Sequence, residues 1–267
     1  MPETVLVTGA AGKIGTAMRN RMARSGRLLR LLDIAPMAEP ADGEAIEIVC
    51  ASAVDLDAMT RACDGADAVV HLASHAAERS WDEIVGLNIQ STYVVLEAAR
   101  RAGTPRVVFA SSNHAVGFCA KPSSGVVGDY VFPRPDTYYG VAKVTGEALG
   151  SLYHDRYGLD VICLRIGSCR ERPVDERMLA TWLSYDDCAR LIEASLSAPD
   201  PGFRVVWGIS DNTRGWWSLD EARALGYEPR DDAEAYADQV RPAPDDLGER
   251  YVGGEFCSSE LDAEIPR

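Results

Sequence analysis

Short apolar runs alternate with longer segments of helical periodicity through the first two thirds of the chain. Five runs with little polar interruption are typical of strands buried on both faces of a sheet, and they span residues 4–8, 28–32, 68–72, 106–110 and 161–166. Residues 46–49 are a weaker strand candidate. Between these runs, apolar residues at helical spacing predict helices near 13–25, 55–63, 82–101 and 137–157.

This regular alternation of strand and helix predicts an α/β fold. Crossovers of this length join parallel strands and are right-handed, so we expect a doubly wound parallel sheet with helices on both faces. The pattern changes after residue 166, where loops rich in Pro, Arg and Glu begin. An apolar stretch near 178–183, a helix near 186–197, a strand at 205–207 and an acidic segment at 229–248, expected to be mostly surface loop or short helix, follow.

Three glycines, Gly9, Gly12 and Gly15, follow the first strand in the pattern G-x-x-G-x-x-G. A turn without side chains lets the backbone approach a pyrophosphate, and the next helix offers N–H donors and the positive end of its dipole. Asp33 ends the second strand, where a carboxylate can accept both ribose hydroxyls of an adenosine and would repel a 2′-phosphate. Capping a turn is the other interpretation of Asp33.

The glycine pattern therefore predicts a Rossmann-type core that binds NAD in preference to NADP. We assign this NAD-binding core to residues 1–165. We expect residues 166–267 to form a small C-terminal substrate lobe that packs on the core within a single integrated domain.

Tyr139 and Lys143 are four residues apart on a predicted helix and therefore share one face. A phenol with an ordinary pKa of about 10 is a poor base at neutral pH. A nearby ammonium and an oxidised nicotinamide ring both favour the phenolate, and lowering its pKa by about 3 units corresponds to roughly 4 kcal/mol. The spacing predicts that Tyr139 is a general base for a hydroxyl group.

Four polar residues, Ser111, Ser112, Asn113 and His114, come directly after the strand at 106–110. The carboxyl end of a strand in a parallel sheet opens onto the ligand crevice, where a serine hydroxyl can hydrogen-bond a reacting oxygen. The alternative interpretation is that both serines cap the following segment.

Charge and composition limit the classes of molecule that the protein is expected to bind. The 267 residues carry a formal net charge of −14, and such an acidic surface argues against binding nucleic acid. The seven Cys and four His lack C-x-x-C or metal-ligand spacing, which predicts reduced thiols and no metal. The N-terminus has no leader pattern, and no run is long enough to span a membrane, so we expect a cytoplasmic protein that does not act at membranes.

The order of T-G-x-x-G-x-x-G, a Ser at a strand end and Y-x-x-x-K resembles the extended branch of the short-chain dehydrogenase/reductase superfamily over about residues 3–165. Further segments resemble the bacterial uronate dehydrogenases and run through nearly the whole chain. They are FASSNHAVG at 109–117, YGVAK at 139–143, LRIGSC at 164–169, RMLATWLS at 177–184, and VVWG followed by WW within 205–217.

The resemblance implies NAD-dependent oxidation of cyclic glucuronate or galacturonate at C1, release of an aldaro-lactone, and a homo-oligomer. By position, Tyr139 matches the base, Lys143 its helper and Ser112 the hydroxyl-binding serine. Expected cofactor contacts are Gly9, Gly12, Lys13, Ile14, Gly15, Asp33, Leu72, Ala73, Tyr139 and Lys143. Expected substrate contacts are Ser111, Ser112, Asn113, His114, Ser168 and Arg177. Arg177 offers a planar fork suited to a carboxylate.

Two positions depart from the pattern of the family. Ala76 stands where a substrate-binding Ser is expected, with Ser74 and His75 as candidates to replace it, and Ala51 stands where an Asp lies near the adenine. Related members oxidise neutral or phosphorylated aldoses at C1, so these sugars are alternative substrates.

Two further hypotheses have less support. One is a nucleotide-sugar epimerase or dehydratase of the same fold, but such enzymes usually have a larger C-terminal lobe. The other is a non-catalytic NAD-sensing protein, which has no need of Tyr139, Lys143 and Ser112.

Overall fold

The computed structural model describes residues 3–242 and 247–260, and in these ranges nine strands form two parallel sheets. The strands are β1 (Glu3–Thr8), β2 (Arg27–Asp33), β3 (Ile46–Cys50), β4 (Ala68–His71), β5 (Arg106–Ser112), β6 (Asp160–Ile166), β7 (Ser168–Cys169), β8 (Trp182–Leu183) and β9 (Phe203–Gly208). The main sheet has the order β3-β2-β1-β4-β5-β6-β9, and β7 pairs with β8. All pairs are parallel, which confirms the predicted α/β sheet.

Helices cover both faces of the main sheet. They are α1 (Lys13–Arg21), α2 (Leu56–Cys63), α3 (Trp81–Glu83), α4 (Gln90–Ala102), α5 (Tyr138–Tyr157), α6 (Met178–Thr181), α7 (Tyr185–Ser197), α8 (Asp220–Ala224) and α9 (Leu247–Arg250). Short 3₁₀ turns span Asn113–Val116, Ala233–Gln239 and Gly254–Cys257. Helices α1 and α7 pack against each other, and α4 packs against both α2 and α5. None of the helices within the described ranges is long and apolar enough to cross a membrane.

The main sheet lies between two apolar layers, which explains why its strands are almost unbroken runs of apolar residues. Met18 of α1 and Leu31 of β2 belong to one buried cluster, whereas Met59 of α2 and Val94 of α4 belong to the other. Because a strand sends successive side chains to opposite faces, a strand buried between two helix layers needs apolar residues at almost every position. The strand order reverses between β1 and β4, and this reversal opens a crevice at the carboxyl ends of the strands.

The helix predicted near 82–101 is present but contains a π-helical turn. This turn spans Ile84–Ile89, between α3 and α4. It carries Asn88, a buried side chain that bonds the backbone of His75 on the preceding loop. Interruptions of this kind often occur at functional sites. Apolar spacing alone does not reveal the extra residue that such a turn contains.

The chain after β6 completes the main sheet. The predicted helix near 186–197 and the predicted strand at 205–207 are confirmed as α7 and β9. Since β9 pairs with β6, the sheet continues across the division at residues 165 and 166, and that division stays a prediction. Residues 243–246 of the acidic segment at 229–248 lie outside the described residues.

Candidate active site

A cavity of about 830 Å³ lies at the carboxyl ends of the central strands. The glycine turn after β1, the loop after β4, the end of β5 and the chain after β6 contribute to its walls. The predicted site residues that line it are Gly9, Gly12, Lys13, Ile14, Gly15, Leu72, Ser111, Ser112, His114, Tyr139, Lys143, Ser168 and Arg177. Asp33, Ala73 and Asn113 are not part of its lining, and each has a different position described below.

The glycine turn is packed so closely that two of its three glycines cannot carry a side chain. Gly9 has a φ of +69°, and a Cβ there would lie 2.6 Å from the backbone nitrogen of Ala73. A Cβ on Gly15 would lie 2.4 Å from the carbonyl oxygen of Gly9. Ala73 therefore contacts the turn from behind, which explains why it is absent from the cavity wall.

Gly12 leaves the start of α1 open towards the cavity. It is the N-cap of α1, no side chain caps this end, and the first turn contains no acidic residue. The first N–H groups of a helix have no acceptor within the helix, and Lys13 and Ile14 both line the cavity. This end of α1 therefore combines free N–H donors, a positive dipole end and a lysine, which together suit a phosphate group.

Asp33 lies beside the glycine turn at the end of β2. Its Oδ2 accepts a hydrogen bond from the backbone N–H of Ala11 at 3.0 Å, and its Oδ1 accepts one from Ala35 at 3.0 Å. Its backbone oxygen accepts from the N–H of Ala51 at 3.2 Å. The carboxylate thus caps its own turn and also stands next to the predicted adenosine position, so the two interpretations of Asp33 are compatible.

Tyr139 and Ser112 both line the cavity. Helix α5 begins at Tyr138, and its second residue, Tyr139, is buried against Ile84 and Ala142. Burial raises the pKa of Tyr139 to about 12, and the neighbouring Ser112 hydroxyl acts in the opposite direction.

Lys143 lies one helical turn beyond Tyr139. Its Nζ is 5.2 Å from the centroid of the Tyr139 ring, and it donates to the carbonyl oxygen of Ala110 at 2.8 Å and to Ser74 Oγ at 3.3 Å. Burial lowers the pKa of Lys143 to about 7. In the protein alone, burial therefore favours the neutral forms of both groups, and the lowering of the phenol pKa by the lysine together with an oxidised cofactor stays a prediction.

Ser111 and Ser112 are the last residues of β5 and point in opposite directions. The Ser111 hydroxyl donates to Glu147 Oε1 at 2.6 Å, and Glu147 forms a buried ion pair with Arg165 at 2.8 Å. The hydroxyl of Ser112 accepts from the N–H of His114 at 3.3 Å and lies beside the phenol. Of the two serines, Ser112 is therefore the one whose hydroxyl acts on the phenol, whereas Ser111 is bonded to Glu147.

His114 is fixed by a carboxylate and an aromatic ring. Its Nδ1 donates to Asp136 Oδ2 at 2.7 Å, and the side chain of Asp136 is fully buried. The ring of Phe256 stacks on the imidazole with a centroid distance of 4.1 Å. Nε2 is therefore the ring nitrogen that remains for a ligand in the cavity.

Arg177 contributes a guanidinium group to the cavity wall. One guanidinium nitrogen donates to the carbonyl oxygen of Val252 at 2.6 Å, whereas the buried Nε has no hydrogen-bond partner among the described residues. Burial lowers the pKa of this guanidinium from its usual value. No carboxylate within the described ranges forms an ion pair with it, so the site can receive an anionic ligand.

Two other predicted substrate residues bond protein groups. The amide nitrogen of Asn113 donates to Val252 at 3.2 Å, and its side chain is buried outside the cavity wall. Ser168 lines the cavity, and its hydroxyl shares a hydrogen bond of 3.0 Å with Thr181. Asn113 and Arg177 thus hold the same carbonyl oxygen and fix the C-terminal segment against the site.

Sequence reasoning missed the part of the wall that comes from residues 251–257. Gly253, Glu255 and Phe256 line the cavity. No periodicity or motif in this short segment indicates a role, because its position depends on contacts with Asn113 and Arg177 that are distant in sequence. Ser74 and Ala76 also line the cavity, and the Ser74 hydroxyl is bonded to Lys143.

Comparisons with known proteins agree with this geometry. Residues 5–170 match the NAD dependent epimerase/dehydratase family. The chain is 42% identical over 259 residues to the uronate dehydrogenase of Pseudomonas syringae pv. tomato, which covers 96% of this chain and 93% of that protein. It is 37% identical to the NAD-dependent glucose-6-phosphate dehydrogenase of Haloferax volcanii, with coverages of 91% and 98%.

A solved structure extends the likeness to the fold. A mutant of uronate dehydrogenase from Agrobacterium tumefaciens complexed with NAD has a TM-score of 0.88 and 42% identity, covering 96% of this chain and 97% of that one. The chain belongs to the NAD dependent epimerase/dehydratase family and, within it, groups with the uronate dehydrogenases.

Proposed function

We propose that this protein is an NAD-dependent dehydrogenase that oxidises a cyclic uronate, such as glucuronate or galacturonate, at C1. The observation that carries the proposal is that three features line one cavity. They are an open helix end suited to a pyrophosphate, the Tyr139 phenol with the Ser112 hydroxyl beside it, and the guanidinium of Arg177, which forms no ion pair with a carboxylate among the described residues. The family and its uronate dehydrogenase members support the same activity.

The residues around the glycine turn fit the dinucleotide. Lys13 and the first N–H groups of α1 would hold the pyrophosphate, and Asp33 would accept the adenosine ribose hydroxyls. Leu72 and Ile14 would complete the walls, and Ala73 would support the glycine turn through its contact with Gly9. When bound, NAD⁺ would supply the hydride acceptor and a positive charge.

The remaining roles follow from the positions of the side chains. Tyr139 takes the proton of the C1 hydroxyl as the C1 hydrogen leaves as hydride, and Ser112 bonds the same oxygen. The uronate thereby loses two electrons and becomes the aldaro-lactone, while NADH and a proton are the other products. Arg177 pairs with the C6 carboxylate, and His114 and Ser168 bond ring hydroxyls. Ser111 lines the same cavity, and Asn113 supports its wall from behind.

A panel of free sugars tests the activity. We expect NADH formation, measured at 340 nm, with glucuronate or galacturonate and NAD, and weaker turnover with glucose and glucose 6-phosphate. Preference for an aldose or a sugar phosphate would instead favour the alternative C1 dehydrogenases. A UDP-sugar that is interconverted without net NADH would favour an epimerase.

Asp33 provides a test of cofactor preference. Replacing Asp33 with Asn removes the charge while keeping the size, so the ratio of kcat/KM for NAD over that for NADP should fall by about tenfold or more, since a hydrogen bond to a charged group contributes about 1.5–3 kcal/mol. Glu47→Gln is a matched control, because Glu47 lies on the adjacent strand and pairs with the exposed side of Arg30. An unchanged cofactor ratio in the Asp33 variant would exclude the ribose contact.

We also propose a role in carbohydrate metabolism, a cytoplasmic location and a homo-oligomeric state. The support for these three is the likeness to the uronate dehydrogenases, and the size-exclusion profile of the purified protein tests the oligomer.

A further inference from the structure

Glu78 is a buried carboxylate that accepts hydrogen bonds from the start of the helix that carries Tyr139. Its Oε1 accepts from the backbone N–H of Tyr138 at 2.9 Å, and its Oε2 accepts from the backbone N–H of Tyr139 at 2.7 Å. These are the first two residues of α5. The next N–H, that of Gly140, donates to the side chain of Thr137 at 3.0 Å. Glu78 and Thr137 thus satisfy the first three N–H donors of this helix.

The choice of a glutamate here needs an explanation beyond ordinary capping. Helix ends are usually capped by a short side chain from the adjoining residue, and α5 already has Thr137 in that position. Glu78 comes from sixty residues earlier in the chain and is only 6% exposed. No Lys or Arg side chain in the described part of the protein forms an ion pair with it. Its charge is therefore stabilised by two N–H donors and the positive end of α5.

Two oxygens that hold two successive amides fix both the position and the rotation of the first turn. A single hydrogen bond would leave the turn free to rotate about the donor. Because Tyr139 is the second residue of that turn, the direction in which its side chain leaves the helix is set by the same contact. Glu78 bonds the backbone N–H groups of Tyr138 and Tyr139, so its influence on the phenol runs through the backbone.

The loop that carries Glu78 is itself held at a defined position. Asn88 in the π-helical turn accepts from the N–H of His75 at 2.8 Å and donates to its carbonyl oxygen at 3.0 Å. The same loop offers the Ser74 hydroxyl to Lys143. The loop between β4 and α3 therefore contacts both members of the Tyr–Lys pair, through Ser74 on one side and Glu78 on the other.

We propose that Glu78 is a positioning residue, which sets the place of the Tyr139 phenol relative to Ser112 and the sugar hydroxyl. This inference rests on the proposed dehydrogenase function. Misplacing a reacting group by about 1 Å can lower a rate by about 100-fold, so a small rotation of the first turn of α5 would suffice to slow proton removal. Binding of NAD at the glycine turn would be unaffected, since Glu78 does not line the cavity.

The test is Glu78→Gln. Glutamine has nearly the same shape, but its amide presents one acceptor and one NH₂ group, which faces a backbone N–H and cannot accept from it. We expect kcat for the uronate to fall by about 10- to 100-fold. The KM for the uronate and the Kd for NADH, measured by fluorescence titration, should stay within about threefold of the wild-type values.

Asp55→Asn is the matched control. Asp55 caps α2, where its Oδ1 accepts from the backbone N–H of Ala58 at 2.9 Å, and it is not among the residues that line the cavity. This variant should lose thermal stability while keeping the wild-type kcat. If Glu78→Gln also lowers only the melting temperature and keeps the wild-type kcat, Glu78 is merely a structural cap and the proposal is wrong.

Two further outcomes are informative. If Glu78→Gln does not fold, Glu78→Asp takes its place, because the shorter carboxylate keeps the charge but cannot reach both amides. A folded Glu78→Asp enzyme with the kcat of the wild type would overturn the positioning role. If the wild-type protein forms no NADH with any sugar, the proposed function and this inference both fail. A normal wild-type rate together with an unimpaired Glu78 variant removes only the inference.

Discussion

Replacing Tyr139 with Phe is expected to lower kcat for uronate oxidation by at least about 1000-fold, in the range that general base catalysis contributes. The substitution removes one hydroxyl and leaves the ring packed against Ile84 and Ala142. Burial holds the pKa of the phenol at about 12 in the protein alone, so the residue acts as a base only when positive charge stands beside it. Lys143 and the oxidised cofactor are the sources of that charge.

Tyr138→Phe is the matched control for this substitution. Tyr138 precedes Tyr139 on the same helix, is 48% exposed and lies edge-on to Trp81, so loss of its hydroxyl should leave kcat unchanged. The Kd for NADH should be the same in both variants and in the wild type. A Tyr139→Phe enzyme that retains a tenth or more of the wild-type kcat would refute the assignment of the base, whatever its stability.

The sequence predicts the sheet and the central pair because both depend on local spacing. Apolar runs bounded by polar turns identify strands, and a separation of four residues places Tyr139 and Lys143 on one helical face. The glycine turn is equally local. These features need no knowledge of the rest of the chain, and the structure brings them to one cavity as expected.

The two serines mark the limit of this local reasoning. The sequence predicts both at the site, yet β5 continues to Ser112 instead of ending at residue 110. Within a strand, successive side chains point to opposite faces, so only one of the two hydroxyls can join the phenol. Knowing the true end of the strand would have predicted the separation, but strand ends are poorly defined by apolar runs.

Glu78 and Phe256 could not be predicted from local sequence, because each acts through a contact with residues that are distant in sequence. A glutamate in a loop is normally solvated, and nothing near residue 78 indicates that it will meet the start of a helix sixty residues later. The stacking of Phe256 on His114 likewise depends on how Asn113 and Arg177 hold Val252. Folding of the whole chain, and no shorter pattern, creates these contacts.

The second large effect is expected at Arg177. Replacing it with Ala should raise the KM for a uronate by about 100-fold relative to the effect on the matching neutral aldose, because two charge-assisted hydrogen bonds to a carboxylate contribute roughly 3 kcal/mol or more. The guanidinium suits this role because Arg177 lines the cavity and forms no ion pair with a carboxylate in the described part of the chain. A planar fork with free donors can bind both oxygens of the C6 carboxylate.

The comparison between the two sugars is needed because Arg177 also supports the protein. It donates to Val252, and its side chain lies so close to Gly254 that a Cβ there would be 2.6 Å from Nε. Loss of this packing loosens residues 251–257 and weakens the binding of every sugar to the same degree. Arg177→Lys separates the contribution of the charge from that of the planar fork, because lysine keeps a charge but lacks the fork. The KM of this variant for the uronate should lie between those of the wild type and the Ala variant. Equal increases in KM for glucuronate and glucose in Arg177→Ala would mean that this side chain holds the C-terminal segment and does not bind the C6 carboxylate.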